Sequence, residues 1–266
     1  MSDGAPIGIF DSGIGGLTVA HSINQYLPQE SLIYFGDTAH LPYGDKAPSS
    51  IMEYSRAISN FLVEKGCKII VIACNTASAI AFDAVRDIVG DTPVVNVIDP
   101  VVDFVVNHEH ARHVGVIGTR ATIQSGEYEK RLKKNEPSIR VSSMATPLLV
   151  PLIEEHIMDD AVGKLVISTY LSQPALNDID SLILGCTHYP LVKHSVEEYY
   201  GGEVNVFDSA DIVGRHVLNF LTGNQMLSSN PNPTYDFYVS DFTESFEHNT
   251  RNFFGQEIHL KQIQFW

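Results

Sequence analysis

The chain has 266 residues, 44% of them hydrophobic and 18% charged, with a formal net charge of −15. That is a globular composition, long enough for one large or two medium α/β units of roughly 100–150 residues each. So acidic a balance argues against a nucleic-acid partner, which requires clustered Lys and Arg, and none of the chain's apolar runs approaches the roughly 20 residues of a bilayer-spanning helix.

In chain order, Met1 to Ile7 carries neither the basic region nor the apolar segment of a secretory leader. Residues 7–10 predict a first strand. The loop after it, Asp11-Ser12-Gly13-Ile14-Gly15-Gly16, opens a helix and has glycines that permit tight turns and leave backbone amides free. A dinucleotide fingerprint would need a third glycine where Thr18 stands, so NAD is not expected. A second strand over 31–36 runs into the polar turn Asp37-Thr38-Ala39-His40-Leu41-Pro42-Tyr43-Gly44, suited to holding a carboxylate through its backbone. A helix over 49–65 precedes a strand over 68–73, which ends in Cys74-Asn75-Thr76.

A helix over 77–89 and strands over 94–97, 113–117 and 140–143 follow, with a helix over 126–134 between the last two. Its basic residues Lys130, Arg131, Lys133 and Lys134 read as a solvated face beside Glu127, Glu129 and Glu136. Then come a helix over 159–171, a strand over 181–184 ending in Gly185-Cys186-Thr187-His188, a helix over 191–200, a strand over 204–207 and a helix over 210–221. A loop rich in Asn and Pro leads to a strand over 235–239 and a helix over 243–254. Short β runs alternating with amphipathic stretches predict parallel sheets covered by helices.

These elements recur. Gly8 and Gly115 occupy similar strands 107 residues apart, each followed by a polar turn: Asp11-Ser12 in one, Gly118-Thr119 in the other. Thr38 matches Thr146 at a spacing of 108, Asn96 to Asp99 matches Asn205 to Asp208 at 109, and Cys74 matches Cys186 at 112. Four matches in one order predict a duplication: two similar doubly wound α/β domains related by a pseudo-twofold, with the active site in the cleft between them. The expected division is 1–98 with 208–266 as the N-terminal half, the tail returning to it, and 99–207 as the C-terminal half. The walls differ, because Asn75 answers to Thr187, Thr76 to His188 and Asp11 to Gly118.

A thiol at a strand end, under the amides of a following turn, can have its pKa lowered and serve as nucleophile or base. One such cysteine alone reads as a small buried hydrophobe. Two in matched positions read as a functional pair, whereas Cys67 lacks the pattern and is assigned to packing. Three cysteines without a dense spacing suit a reducing cytoplasm better than a disulfide framework. His188 and Glu154 stand near enough in sequence to the matched turns to assist proton transfer. A metal on Cys186, His188 and His156 fits no zinc spacing, and the first half has no histidine near Cys74, so no metal is expected. No segment singles out a lysine for pyridoxal phosphate.

Taken together, Asp11-Ser12-Gly-Ile-Gly-Gly, Pro42-Tyr43-Gly44, Ala-Cys74-Asn75-Thr76-Ala and Gly-Cys186-Thr187-His188-Tyr-Pro190-Leu resemble the motifs of the glutamate racemase family, within the aspartate/glutamate racemase superfamily. The resemblance runs from about Ile7 to Leu221 and departs at no motif position. It implies cofactor-independent interconversion of L- and D-glutamate, supplying D-glutamate for peptidoglycan, in a cytoplasmic homodimer. Cys74 would take the α-proton from D-glutamate and Cys186 from L-glutamate. Asp11, Asp37, Glu154 and His188 are implied as assistants to the thiols. Asp11, Ser12, Pro42, Tyr43, Gly44, Asn75, Thr76, Thr119, Thr187 and His188 are implied as substrate contacts.

Some family members carry an extra N-terminal segment linked to activation by a cell-wall precursor; this chain starts its first strand at Ile7, so no such activation is expected. Aspartate and hydantoin racemases, and a related decarboxylase using one cysteine of the pair, are the nearest rivals. A two-lobed binding protein with structural thiols is the rival from another class.

Overall fold

The computed structural model describes residues 4–108, 111–158, 160–255 and 258–264. Within them the strands are β1 (Ile7–Asp11), β2 (Leu32–Gly36), β3 (Ile69–Ile72), β4 (Val94–Asn96), β5 (His113–Gly118), β6 (Arg140–Ala145), β7 (Ser181–Gly185), β8 (Asn205–Asp208), β9 (Tyr235–Val239) and β10 (Leu260–Gln262). They form two sheets, ordered β10-β9-β2-β1-β3-β4 and β6-β5-β7-β8. Every pairing is parallel. The block β2-β1-β3-β4 recurs as β6-β5-β7-β8, which is the duplicated α/β fold expected from the sequence.

The ladders correct two of the sequence matches. Asp11 pairs with Gly36 and Gly118 with Ala145, so the amides that close on the ends of β1 and β5 belong to Asp37 and Thr146. The partner of Thr146 is therefore Asp37, one residue before the Thr38 that alignment of threonines selected. Ile72 pairs with Asn96 and Leu184 with Asp208. Asn96 is thus the counterpart of Asp208, not of Asn205, at the same 112-residue offset as the cysteines. Both cap the helix that follows: Asn96 Oδ1 accepts from the amides of Ile98 and Asp99, and Asp208 Oδ1 from that of Ala210. An amide oxygen and a carboxylate oxygen do the same work at a helix N-terminus, which identity matching overlooks.

Several helices begin or break where the sequence reading did not place them. The stretch 77–89 is two helices, Asn75–Ile80 and Phe82–Arg86, and the first starts early because Cys74 Sγ accepts a hydrogen bond from the Ala77 amide. Helices Ile98–His108, Arg120–Ser125 and Leu149–Glu154, and strand β10, had gone unrecognised. Gly126, in the left-handed region at φ 67°, separates Arg120–Ser125 from Glu127–Asn135. The helix expected from 159 runs over Ala161–Leu171, and residue 159 lies outside the described residues.

The central strands β1 and β3 are buried throughout, as strands covered by helices on both faces must be. Gly8 in β1 leaves room for Cys67: a Cβ there would lie 2.9 Å from its sulfur. Cys67 is thereby a packing residue, 5% exposed. Helix Ser209–Gly223, which follows the last strand of the second sheet, packs on helix Leu17–Tyr26 of the first, their backbones approaching closely at Gly214. Tyr26 links their ends, donating to Asp211 and accepting from Arg215. Below the first sheet, Lys68 is 3% exposed and donates to Glu30 at 2.6 Å and to the Met226 carbonyl at 2.7 Å, while Glu30 also accepts from the Ser228 amide. A buried ion pair persists only when its remaining polar positions are filled. This one ties the loop before β9 to the floor of the first sheet.

A Cβ on Gly214 would come within 2.3 Å of Ser22 Oγ and 2.9 Å of Tyr26 Cδ2. Gly214→Ala is therefore expected to destabilise by about 1–3 kcal/mol, the usual cost of overpacking. Thermal melting beside Gly223→Ala, where a Cβ meets nothing within 4 Å, checks it.

Candidate active site

Parallel strands present their turns at their carboxyl ends, where α/β proteins place ligands. Here the turns after β1, β2 and β3 meet those after β5, β6 and β7 around a cavity of about 270 Å³. Ser12, Pro42, Tyr43, Gly44, Cys74, Asn75 and Thr76 line it from the first half, and Thr119, Glu154, Cys186, Thr187 and His188 from the second. Asp11 and Asp37 are not among the lining residues.

Cys74 sits one residue beyond Ala73, whose amide donates to the Phe10 carbonyl at 2.8 Å. Its side chain turns under the helix it caps. Sγ lies 3.4 Å from the Ala77 amide and 3.6 Å from Ser12 Oγ, to which the thiol donates. Burial, then the charge of Asp11, push the Cys74 thiol up to about 12, outweighing the Ala77 and Ser12 hydrogen bonds. The capping geometry that can activate a cysteine is present, and desolvation wins over it, so this thiol keeps its proton near neutral pH.

Cys186 has different company. Its sulfur lies 3.8 Å from His188 Nδ1, and His188 Nε2 lies 2.9 Å from Glu154 Oε1. Burial disfavours a charged imidazole, yet the contacts with Cys186 and Glu154 prevail and raise His188 to about 10. An imidazolium thus stands between a sulfur and a carboxylate. Glu154 is on the helix Leu149–Glu154 and reaches the histidine across 34 residues of sequence.

Gly15 gives the glycine loop a purpose other than binding an anion. A Cβ at Gly15 would lie 2.3 Å from His188 Nδ1, so the loop is glycine where the imidazole passes. Thr18, in place of the third glycine, directs its hydroxyl to the Thr187 carbonyl at 2.9 Å, besides that of Gly15 at 3.0 Å. It fastens this loop to the turn that carries Cys186. Gly44 plays a similar part at the other side, since a Cβ there would approach Thr119 Cβ to 2.8 Å. Thr76, Thr119 and Thr122 join their hydroxyls between the halves at 2.9–3.1 Å.

The two aspartates support the cavity from behind. Asp37 accepts from Tyr43 at 2.6 Å and from Ser240 at 2.7 Å, and its carboxylate lies 2.9–3.0 Å from His40 Nδ1. It therefore orients the Pro42–Gly44 turn, in which the Leu41–Pro42 peptide is cis. Asp11 Oδ2 accepts from the Gly13 amide, and burial lifts its carboxyl above the ordinary range against the pull of His188. It acts on Cys74 through its charge. The sequence reading missed Thr18, Thr122 and the Arg120–Asp45 ion pair at the cavity wall, 3.1 Å long, because single residues of common type carry no motif. His156 does not line the cavity, and among the described residues no group of three or more His, Cys, Asp or Glu could hold a metal ion. Nor is any described helix long and apolar enough to cross a membrane.

Two parallel sheets that each bring a cysteine to one cavity make this a two-thiol α/β protein. The chain belongs to the Asp/Glu/Hydantoin racemase family, whose profile matches residues 7–217, and it is an isomerase. A glutamate racemase from Geobacter metallireducens is 44% identical over 253 residues, covering 95% of this chain and 93% of that protein. A glutamate racemase from Francisella tularensis in complex with D-glutamate superposes with a TM-score of 0.92 at 37% identity, covering 99% of this chain and 98% of that one. Isoform RacE1 from Bacillus anthracis, also a glutamate racemase, gives 0.94 at 34% identity and 99% coverage of both.

Because alkylation proceeds through the thiolate, labelling of Cys74 by iodoacetamide should be slow at pH 8 and quicken as pH climbs toward 12. Asp11→Asn removes a charge that holds the thiol protonated, so the rise should move to lower pH, measured by mass spectrometry of the Cys74 peptide.

Proposed function

We propose that this protein racemises glutamate without a cofactor, using Cys74 and Cys186 as the two proton-exchanging groups, and that its D-glutamate serves peptidoglycan synthesis. The observation that carries the proposal is the pair of thiols, one from each half, lining one cavity in unlike electrostatic settings. Inverting a stereocentre by proton exchange needs a base on one face and an acid on the other. Cys74, held protonated, is the acid. Cys186, beside the His188 imidazolium, is the base that takes the α-proton of L-glutamate. Cys74 then returns a proton to the opposite face, giving D-glutamate; the reverse reaction begins from the exchanged protonation states.

The α-carbanion needs stabilisation at the moment it forms. Thr76, Thr119 and Thr187 offer hydroxyl donors at the cavity wall, and Ser12 and Asn75 with the Pro42–Gly44 turn complete the substrate contacts. Glu154 and His188 serve Cys186, while Asp11 serves Cys74 and Asp37 holds the Tyr43 turn. We divide the chain into halves 1–98 with 208–266 and 99–207, and take it to act as a cytoplasmic homodimer, as the family resemblance implies. The named substrates of the relatives favour glutamate over aspartate or hydantoins.

In deuterium oxide, each glutamate enantiomer should gain deuterium at the α-carbon as it racemises. Cys74→Ser and Cys186→Ser should each lose roughly 10²–10⁴-fold in turnover, the scale of general acid–base catalysis. Normal racemisation by both variants would sink the two-thiol mechanism, and absence of α-exchange in the unaltered protein would favour a binding protein.

A further inference from the structure

We infer that Tyr128 is a positioning residue for this site: it fixes the Asn75 amide with its NH₂ group turned toward the cavity and seats both cysteine-bearing turns on one ring. The inference rests on the glutamate racemase reading above and assigns a role to a residue outside every motif of the sequence. Tyr128 lies on the helix Glu127–Asn135 and is 3% exposed. It does not line the cavity.

Its hydroxyl lies 2.6 Å from Asn75 Oδ1. That separation suits an O–H···O bond, whereas an amide N–H···O bond is ordinarily 2.7–3.2 Å. The oxygen of Asn75 therefore faces the tyrosine, and burial keeps the phenol protonated as the donor. Asn75 Nδ2 is left buried with no hydrogen-bond partner in the protein, on a side chain that lines the cavity. A buried amide donor without a partner costs on the order of 1–3 kcal/mol, which a substrate carboxylate would relieve.

The same ring meets the other thiol's strand. A Cβ on Gly185 would lie 2.9 Å from the Ile117 carbonyl oxygen and 3.2 Å from Tyr128 Cε2, so the ring packs closely against this glycine. Gly185 immediately precedes Cys186, and Asn75 immediately follows Cys74. One side chain thus touches the residue next to each thiol, one by packing and the other by a hydrogen bond. A tyrosine that merely filled the core would influence stability alone. One that orients Asn75 influences how tightly substrate is held.

The test is a double-mutant cycle of Tyr128→Phe and Asn75→Ala, read by KM and kcat for L- and D-glutamate and by equilibrium binding of D-glutamate. Tyr128→Phe should weaken binding and raise KM about tenfold, the effect of one hydrogen bond, with kcat within about twofold. In the Asn75→Ala background the same change should alter either quantity by less than about twofold. Unchanged KM and binding in Tyr128→Phe, or a tenfold effect that persists without Asn75, overturns the inference. Asn75→Asp, which keeps an acceptor for Tyr128 but lacks the NH₂ group, reads the same role should Tyr128→Phe fail to fold. It should raise KM at least tenfold, and wild-type binding by that variant also overturns the inference. An unaltered protein that binds D-glutamate without racemising it sinks only the preceding proposal, and one that does not bind it sinks both.

Discussion

The hydrogen-bond ladders that hold β3 between β1 and β4, and β7 between β5 and β8, decide where the thiols stand. Because these strands are parallel and central, their side chains are committed to the core until the ladder stops, and the first residues freed are those of the carboxyl-end turn. Cys74 and Cys186 occupy that place in equivalent strands. Their separation depends on how two sheets are docked, so it is fixed by the packing of helices such as Leu17–Tyr26 on Ser209–Gly223 as much as by local geometry.

Duplication supplies two similar sulfurs, and their surroundings differ. The difference is made by neighbours that the two copies of the repeat do not share. Asp11 has Gly118 as its counterpart, so only the first sulfur feels a carboxylate from the adjacent strand end. Glu154 comes from a helix after β6 and reaches His188, giving the second sulfur an imidazolium. Desolvation raises the cost of charge at Cys74, whereas the sulfur of Cys186 has a cation 3.8 Å away. Two copies of one fold thus surround their sulfurs with unlike charges through a handful of substitutions on the surrounding turns.

Much of this was legible in the sequence where side-chain identity and spacing repeat. The central strands read clearly because burial on both faces makes them continuous apolar runs, and the cysteine turns read clearly because they recur. What identity could not reveal was equivalence of role. Asn96 and Asp208 cap corresponding helices with different side chains, and Asp37 and Thr146 close corresponding strands with unlike ones. The glycine loop carried a true signal whose cause was hidden: Gly15 makes way for a histidine 173 residues later in the chain. Tyr128, Thr18 and Glu154 act across sequence distances of 34 to 169 residues, and no local pattern announces such contacts.

The order of the strands in the first sheet sets the order in which the protein can be finished during translation. β2 leaves the ribosome early, but its outer neighbour β9 is made some 200 residues later, after the whole of the second half. Until then β2 presents an unpaired, apolar edge to the cell, a state in which strands are prone to pair with the wrong partner. The same delay reaches the cavity. Asp37, which holds Tyr43, receives one of its hydrogen bonds from Ser240, and Thr38 is bonded to the Asp241 amide. One wall of the cavity is therefore completed by residues synthesised after both cysteines.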